Sequence, residues 1–311
     1  MDTTSRLAPL ALALSLSSAA CLPTSHAVAP AALGTPSRAS TFEASIGTPG
    51  PVDVETVISA RWEVDRSGLI NLDHPKAKAA GLVDGREPIH LAFHALRHPT
   101  RGTFLVDSGV ERAFVSAPDA ALISGMMGSL AHVDRLKVLV DTRSWIERQP
   151  APPAGVFLTH LHVDHVLGLR DVPDTAAVFV GPGETSERSF ENVFTGSLYG
   201  AALASKGTMS EWRFSPDPEG AFEGLLDVFG DGSVWAIWVP GHTPGSTAFL
   251  VRTPRGPVLL TGDACHTRWG WDNGVEPGTF SHDKPRSAQS LTRLEALVSR
   301  HPEIDVRLGH Q

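Results

Sequence analysis

The sequence predicts a mixed α/β (α+β) protein built of sheets flanked by helices, and three observations predict it. Short apolar runs alternate with turn signals along most of the 311 residues, the pattern of many short strands. Helical periodicities are interspersed among these runs. Several predicted strands end in Asp, His or Gly, so their ends can present a site.

The elements follow in chain order. After Arg6 comes LAPLALALSLSSAA, too short to span a membrane but suited to the core of a signal peptide, so residues 1–27 are expected to be a leader. Two processing readings stay open. Ser18-Ala19-Ala20-Cys21 resembles a lipoprotein box in which Cys21 carries a lipid anchor, and Ser25-His26-Ala27 is a small-x-small site for ordinary cleavage. Either implies export, to the periplasm, an outer membrane anchor or the exterior. Residues 28–50 are rich in Ala, Pro, Ser, Thr and Gly and are expected to be a flexible tether. A single domain is expected over 51–311.

Within that domain strands are predicted at 89–95, 103–107, 137–141, 155–159, 177–180, 234–239, 247–252 and 257–261. Helices are predicted at 117–131, 192–205 and 285–300, the last with Leu291, Leu294, Leu297 and Val298 on one face. Residues 181–222 are poor in strand signal but rich in aromatic side chains. They read either as a helical excursion with its own small core or as a cap over a pocket. There is no internal repeat.

Composition narrows the function. The hydrophobic fraction of 41% and charged fraction of 19% are ordinary for a soluble chain. A formal net charge of −8 and the lack of any Lys/Arg-rich run argue against a nucleic-acid partner and favour a small-molecule one. Of the two cysteines, Cys21 falls in the leader, so Cys265 has no partner for an internal disulfide. It reads as a small buried side chain rather than a metal ligand. Nothing here fixes the oligomeric state.

The chemistry concentrates in VFLTHLHVDH, residues 156–165. A transition-metal site needs neutral imidazoles and carboxylates converging from several strand ends. The strand before Thr159 delivers His160 at its end. His162, two residues on in extended chain, points to the same side. Asp164 and His165 lie past the bend and can face a second metal. Each half-site still lacks ligands, and His242 in PGHTPG, Asp263 in LLTGDA and His310 at the end of VRLGH stand in similar strand-end settings.

In that order the four motifs HxHxDH, GHTPG, LLTGDA and GH resemble the metallo-β-lactamase superfamily, over roughly residues 50–311. The resemblance implies an αββα four-layer sandwich with a dinuclear metal site on one edge. It implies that His160, His162 and His242 hold one divalent ion, that Asp164, His165 and His310 hold the other, and that Asp263 bridges them. Zinc is the expected metal. Thr159, Asp107 and Gly241 stand where the family places supporting residues. Asp107 reads equally as a carboxylate orienting a ligand histidine and as a strand-end turn former.

Two divalent cations about 3.5–4 Å apart can hold a bridging hydroxide and polarise a substrate oxygen. The expected reaction is therefore hydrolysis, with Asp164, Asp263 and His266 as catalytic residues. The text PGHTPGSTAFLV, GPVLLTGDAC, SLTRLEALV and LGHQ is most similar to the N-acyl-homoserine lactone lactonase-like branch, which implies a lactone or ester substrate. The alternatives are a phosphoester, organophosphate or β-lactam hydrolase on the same scaffold, and a non-catalytic metal-binding module. One departure stands out. Those lactonases carry Tyr three residues after the bridging Asp, and here the position is His266, whose imidazole is expected to donate to an oxyanion in its place. Trp269 and Trp271 read either as pocket walls or as packing for the segment 267–283.

Overall fold

Alternation within single strands sets the layers of this protein. In β7 (Gly155–Phe157) and the residue after it, Val156 and Leu158 belong to one hydrophobic cluster while Phe157 belongs to another. In β12 (Thr247–Thr253), Phe249 and Val251 join Phe157, whereas Ala248 and Leu250 face a third cluster. A strand that is apolar on both faces must be covered on both. Two such sheets facing each other, each with helices outside, make four layers.

The computed structural model describes residues 26–186 and 198–311. One sheet has the order β1-β9-β8-β7-β5-β4-β3-β6 and the other β14-β13-β12-β11-β10-β2. The first contains β1 (Val28–Pro30), β3 (Asp53–Asp65), β4 (Arg86–His98), β5 (Gly102–Val106), β6 (Lys137–Val138), β8 (Ala177–Val180) and β9 (Met209–Glu211) beside β7. The second contains β2 (Thr35–Pro36), β10 (Leu225–Asp227), β11 (Val234–Trp238), β13 (Gly256–Leu260) and β14 (Asp305–Arg307) beside β12. The inter-sheet core holds stacked and edge-on aromatics around Phe157, including Phe104, Phe179, Trp212 and Phe249. Outside the second sheet lie the helices Ala39–Ile46 and Lys284–Arg300; outside the first lie Thr142–Glu147 and the helical residues 198–203. The expected αββα sandwich is the fold observed.

Several expectations need correction. The stretch 28–50 is not a tether: β1 pairs with β9, β2 pairs with β10, and Phe42 and Ile46 are fully buried against the second sheet. Its small-residue composition hides two large apolar side chains four apart, which is one helix face. Edge strands of two or three residues are too short for periodicity to register. The leader expected over 1–27, with Cys21, lies outside the described residues except for His26 and Ala27. No helix among the described residues is long and apolar enough to cross a membrane.

The helix expected over 117–131 breaks into Pro118–Ala120 and Gly125–Leu130. The strand expected over 137–141 stops at Val138, and Asp141 instead caps the helix Thr142–Glu147 by accepting from the Ser144 N–H at 2.7 Å. The described part of 181–222 builds no separate core. Tyr199, Ala202 and Leu203 pack on the first sheet, β9 extends that sheet, and Trp212 enters the inter-sheet core. The helix expected from 192 has its first residues, 192–197, outside the described residues.

Candidate metal centre

Five strands deliver the site, all from their C-terminal ends. β5 leads into Asp107, β7 into Thr159 and His160, β11 into His242, β13 into Asp263 and β14 into His310. β5 and β7 run parallel, as do β13 and β14, so the ends converge on one edge of the sandwich. The two sheets are tied at this edge by the Thr247 N–H, which donates to the Thr159 carbonyl at 2.8 Å.

All seven expected ligands come together there. His160, His162, His242 and Asp263 form one group and Asp164, His165, Asp263 and His310 another, with the potential ligand atoms of each group within 4.8 Å of one another. Asp263 Oδ2 lies at the centre, 3.6 Å from His160 Nε2, 3.4 Å from His242 Nε2, and 3.3 Å from both His165 Nε2 and His310 Nε2. Donor atoms about 2.0–2.2 Å from one tetrahedral cation stand about 3.4 Å from each other. The spacing is that of a coordination polyhedron. His160 Nε2, His165 Nε2 and Asp263 Oδ1 are buried without a hydrogen-bond partner, a costly state for polar atoms unless a cation satisfies some of them. The donor set of imidazoles and carboxylates suits divalent metal ions.

An outer ring of groups orients the imidazoles. Asp107 accepts from His165 Nδ1–H at 2.8 Å and from the Thr159 N–H at 2.8 Å. The Thr159 hydroxyl donates to the same carboxylate and stands 3.1 Å from His160 Nδ1. His310 Nδ1–H donates to the His90 carbonyl at 3.0 Å, and His242 Nδ1 lies 3.2 Å from Ser281 Oγ. Each of these rings therefore turns Nε2 inward. His162 is reversed, its Nδ1 2.9 Å from His242 Nε2. Asp107 adopts φ 60°, a left-handed conformation that Asp tolerates better than most residues. It orients His165, one of the candidate ligands.

Close approach explains two glycines. A Cβ at Gly241 would stand 2.1 Å from the Ser287 nitrogen, and one at Gly309 would stand 2.2 Å from Asp263 Oδ1. Glu184, which the sequence reading did not single out, is buried and joins the two histidine loops. It accepts from Leu161 N at 2.7 Å, from Gly245 N at 2.8 Å and from the Thr243 hydroxyl. Its only sequence signal is a carboxylate in a Gly/Pro turn, which is common.

Electrostatics divides the imidazoles. Burial, reinforced by the neighbouring histidines, holds His160 and His242 well below the ordinary value. Burial also holds His162 down, to about 4. Burial would lower His165 and His310 too, but there the carboxylates outweigh it. Asp263, Asp107 and Asp164 raise His165 well above the ordinary value, and Asp263 with Asp164 raises His310 to about 9. Asp263 resists the upward push of its own burial, because His310, His266 and His165 hold it well below the usual carboxylate range.

A cavity of about 200 Å³ opens over the centre, with His162, Asp164, His242, Asp263 and His310 as its polar floor. Trp62, Val64, Leu69, Ile89, Val163 and Phe280 make its apolar wall, joined by Tyr199. Trp269 and Trp271 are not in this lining. Trp269 packs on the outer face of the first sheet and Trp271 beside the second, so the packing reading of this pair holds. His266 is buried and also absent from the lining. Its Nδ1–H donates to the Leu69 carbonyl at 3.0 Å and its Nε2 faces Asp263 Oδ2 at 3.0 Å. Cys265 is buried with its thiol 3.4 Å from the Thr267 carbonyl, and burial pushes it up to about 12.

The sequence model of the metallo-β-lactamase superfamily matches residues 95–310. The chain belongs to that superfamily. It is a metallohydrolase of this fold, similar to the N-acyl homoserine lactonase AttM of Agrobacterium fabrum. The two are 30% identical over 228 residues, covering 71% of this chain and 82% of the relative. It is also similar to the lactonase AiiA of Bacillus thuringiensis subsp. kurstaki, at 24% identity over 78% of this chain and 90% of the relative. Among solved structures, a quorum-quenching N-acyl homoserine lactone lactonase matches with a TM-score of 0.58 at 18% identity, covering 85% of this chain and 94% of the other. The dizinc lactonase AidC matches with a TM-score of 0.57 at 12% identity, covering 89% and 91%. These structural likenesses concern the fold.

Proposed function

We propose that this metallo-β-lactamase-superfamily chain is an exported dinuclear zinc hydrolase that opens lactones bearing an apolar substituent. The observation that carries the reading is a pair of His/Asp groups sharing Asp263 at the floor of an apolar cavity. The lactonase names of AttM and AiiA and the dizinc state of AidC support the substrate class and the metal. The composition of residues 1–27 supports export.

The two groups would hold two divalent cations, which when bound would supply an activated hydroxide and polarise a carbonyl. The protein's own residues do the rest. His160, His162 and His242 are held neutral by burial and present lone pairs without first losing a proton. Asp107 fixes His165, and the His90 carbonyl fixes His310. Trp62, Ile89 and Phe280 take up the apolar substituent and exclude water. Asp164 lines the cavity, and its side chain is 22% exposed against 3% for Asp263. It is placed to carry a proton. As water oxygen bonds to the lactone carbonyl carbon and the ring C–O bond breaks, the water proton passes through Asp164 to the leaving alkoxide.

Elemental analysis of the purified chain, with lactone, ester, phosphotriester and β-lactam substrates assayed in parallel, tests the reading. Two equivalents of zinc and preference for acylated lactones are expected. Less than about half an equivalent of metal after reconstitution would overturn it. Preference for another substrate class would overturn the lactonase assignment alone.

A further inference from the structure

We propose that Phe280, held in place by Gly68, selects substrates by the length of their apolar chain. The inference rests on the lactone-hydrolase reading above and deepens it, by naming the residue pair that decides which lactones bind best.

The first argument is the size of the cavity and the place of Phe280 in it. The cavity holds about 200 Å³, below the roughly 300–1,000 Å³ that enclose a whole drug-sized ligand. A long chain must therefore leave it across its lip. Among the described wall residues Phe280 is the most exposed, at 36%, whereas Trp62, Leu69, Ile89 and Tyr199 are buried. Phe280 is the lip. Its ring is apolar surface that a short substituent leaves in water and a longer one covers, so the gain from burial falls to long chains alone.

The second argument is that the backbone under this ring is fixed on both sides. Gly278 N donates to the Gly68 carbonyl at 3.0 Å and Thr279 N to the Ser67 carbonyl at 2.8 Å. On the other side His282 N donates to the His242 carbonyl at 2.9 Å and Asp283 N to the Gly241 carbonyl at 2.8 Å. One strap thus runs from the helical turn Arg66–Leu69 to the loop of a candidate metal ligand, with Phe280 at its middle. The turn is itself anchored from behind. Ser67 N donates to Asp84 Oδ1 at 2.9 Å, and Arg66 Nε donates to Glu87 Oε2 at 2.9 Å.

Gly68 is the third. It is buried, and a Cβ placed on it would stand 2.2 Å from Cε2 and 2.3 Å from Cζ of the Phe280 ring. The ring edge rests on the bare glycine. Gly68 is not among the positive-φ residues, so its conformation does not call for glycine and the contact with the ring does. With the strap and the turn both anchored, a side chain at 68 has only the ring to displace.

The test uses the full zinc-loaded chain and lactam analogues, whose ring amide resists opening, bearing a short or a long unbranched chain. Calorimetry gives the ratio of the two dissociation constants, and the parent should prefer the long chain. In Phe280→Ala that preference should shrink roughly 4–15-fold, the scale of one or two methylene groups losing an apolar partner. Gly68→Ala should shrink it too, and the double variant should match Phe280→Ala alone, because the alanine at 68 then meets no ring. A parent without preference, a preference that survives either single change, or two effects that add in full would overturn the proposal. If Gly68→Ala does not fold, the comparison of Phe280→Leu with Phe280→Ala decides: leucine should keep more of the preference, and equal loss or none would overturn it. Turnover of the lactones themselves separates the two readings. A parent that prefers the long lactam but opens no lactone overturns the function above, whereas one that opens lactones and shows no chain-length preference overturns only this proposal.

Discussion

Asp263 Oδ2 is the atom on which both metal groups depend, since it is the one carboxylate shared between them. Asp263→Asn keeps the shape but loses the charge, so one metal equivalent should be lost and turnover should fall by orders of magnitude. Asp263→Glu should retain more metal than activity, and Cys265→Ser, whose side chain is not part of the cavity lining, should change neither. Metal stoichiometry and rate for the three variants check this, and two tightly held metals in a fully active Asp263→Asn would remove the bridge. The same residues set a pH dependence of stability in chelator-treated protein. His160, His162 and His242 have lowered values, so below about 6.5 the unfolded chain binds more protons than the folded one and stability falls with falling pH. His165 and His310 have raised values, so stability falls again as pH rises from about 6.5, for His310 through about 9. Tm of the stripped protein should therefore peak near neutrality. Restoring metal should flatten the alkaline side, because the metals replace those two protons. A Tm that climbs steadily to pH 10 without metal would contradict the assignment.

At the scale of elements, the strand β3 shows how a regular pattern can be lost to a single residue. Val54 faces the inter-sheet core and Val57 the outer core, but beyond the bulge at Ile58/Ala60 it is Ala60 and Trp62 that face outward. The parity of the alternation switches mid-strand, so no one period fits 53–65 and the sequence reading passed over it. The bulge also re-aims the strand so that Trp62 reaches the cavity wall. Helix Ala39–Ile46 was missed for a compositional reason, and its anchor is testable. Phe42 contacts Phe222 and Trp235 edge-on, so Phe42→Ala should destabilise the protein by about 3–5 kcal/mol. A tether would give no loss in denaturant unfolding. Glu184 clamps the loop after β7 to the loop after β11, so Glu184→Gln should weaken metal binding about 10–100-fold with little change in the apolar cavity. Metal titration reports the first effect. KM for lactones of different chain length, measured at saturating metal, reports the second.

For the whole molecule, the metal centre is a seam. It takes His160, His165 and Asp107 from the first sheet and His242, Asp263 and His310 from the second. Bound metal therefore ties the two halves of the sandwich and stabilises only the folded state. At a hundredfold excess over Kd this contributes about 2.7 kcal/mol per site, so chelation should lower Tm by roughly 5–10 °C for one site in a chain of this size. Differential scanning with and without chelator measures it, and an unchanged Tm would place the ligands in a site the metal does not close.

The sequence by itself pointed to the seven candidate ligands that the fold brings together, because HxHxDH and the His and Asp at three later strand ends are local features: residue types whose chemistry is metal binding, in turns that cannot bury them without a partner. It determined the core strands β4, β5, β7, β8, β11, β12 and β13 and the helix Lys284–Arg300 for the same reason, each being periodic over a short window. Only the tertiary structure decided the rest. Short edge strands such as β2 and β14 exist because a neighbour offers hydrogen bonds, and no window of two or three residues records that. The cavity wall comes from residues as far apart as Trp62, Tyr199 and Phe280, each indistinguishable in sequence from a packing residue. The place of His266 was decided the same way. A carbonyl nearly two hundred residues earlier in the chain, at Leu69, accepts from its Nδ1–H and leaves its Nε2 facing Asp263, and only the folded chain brings those groups together.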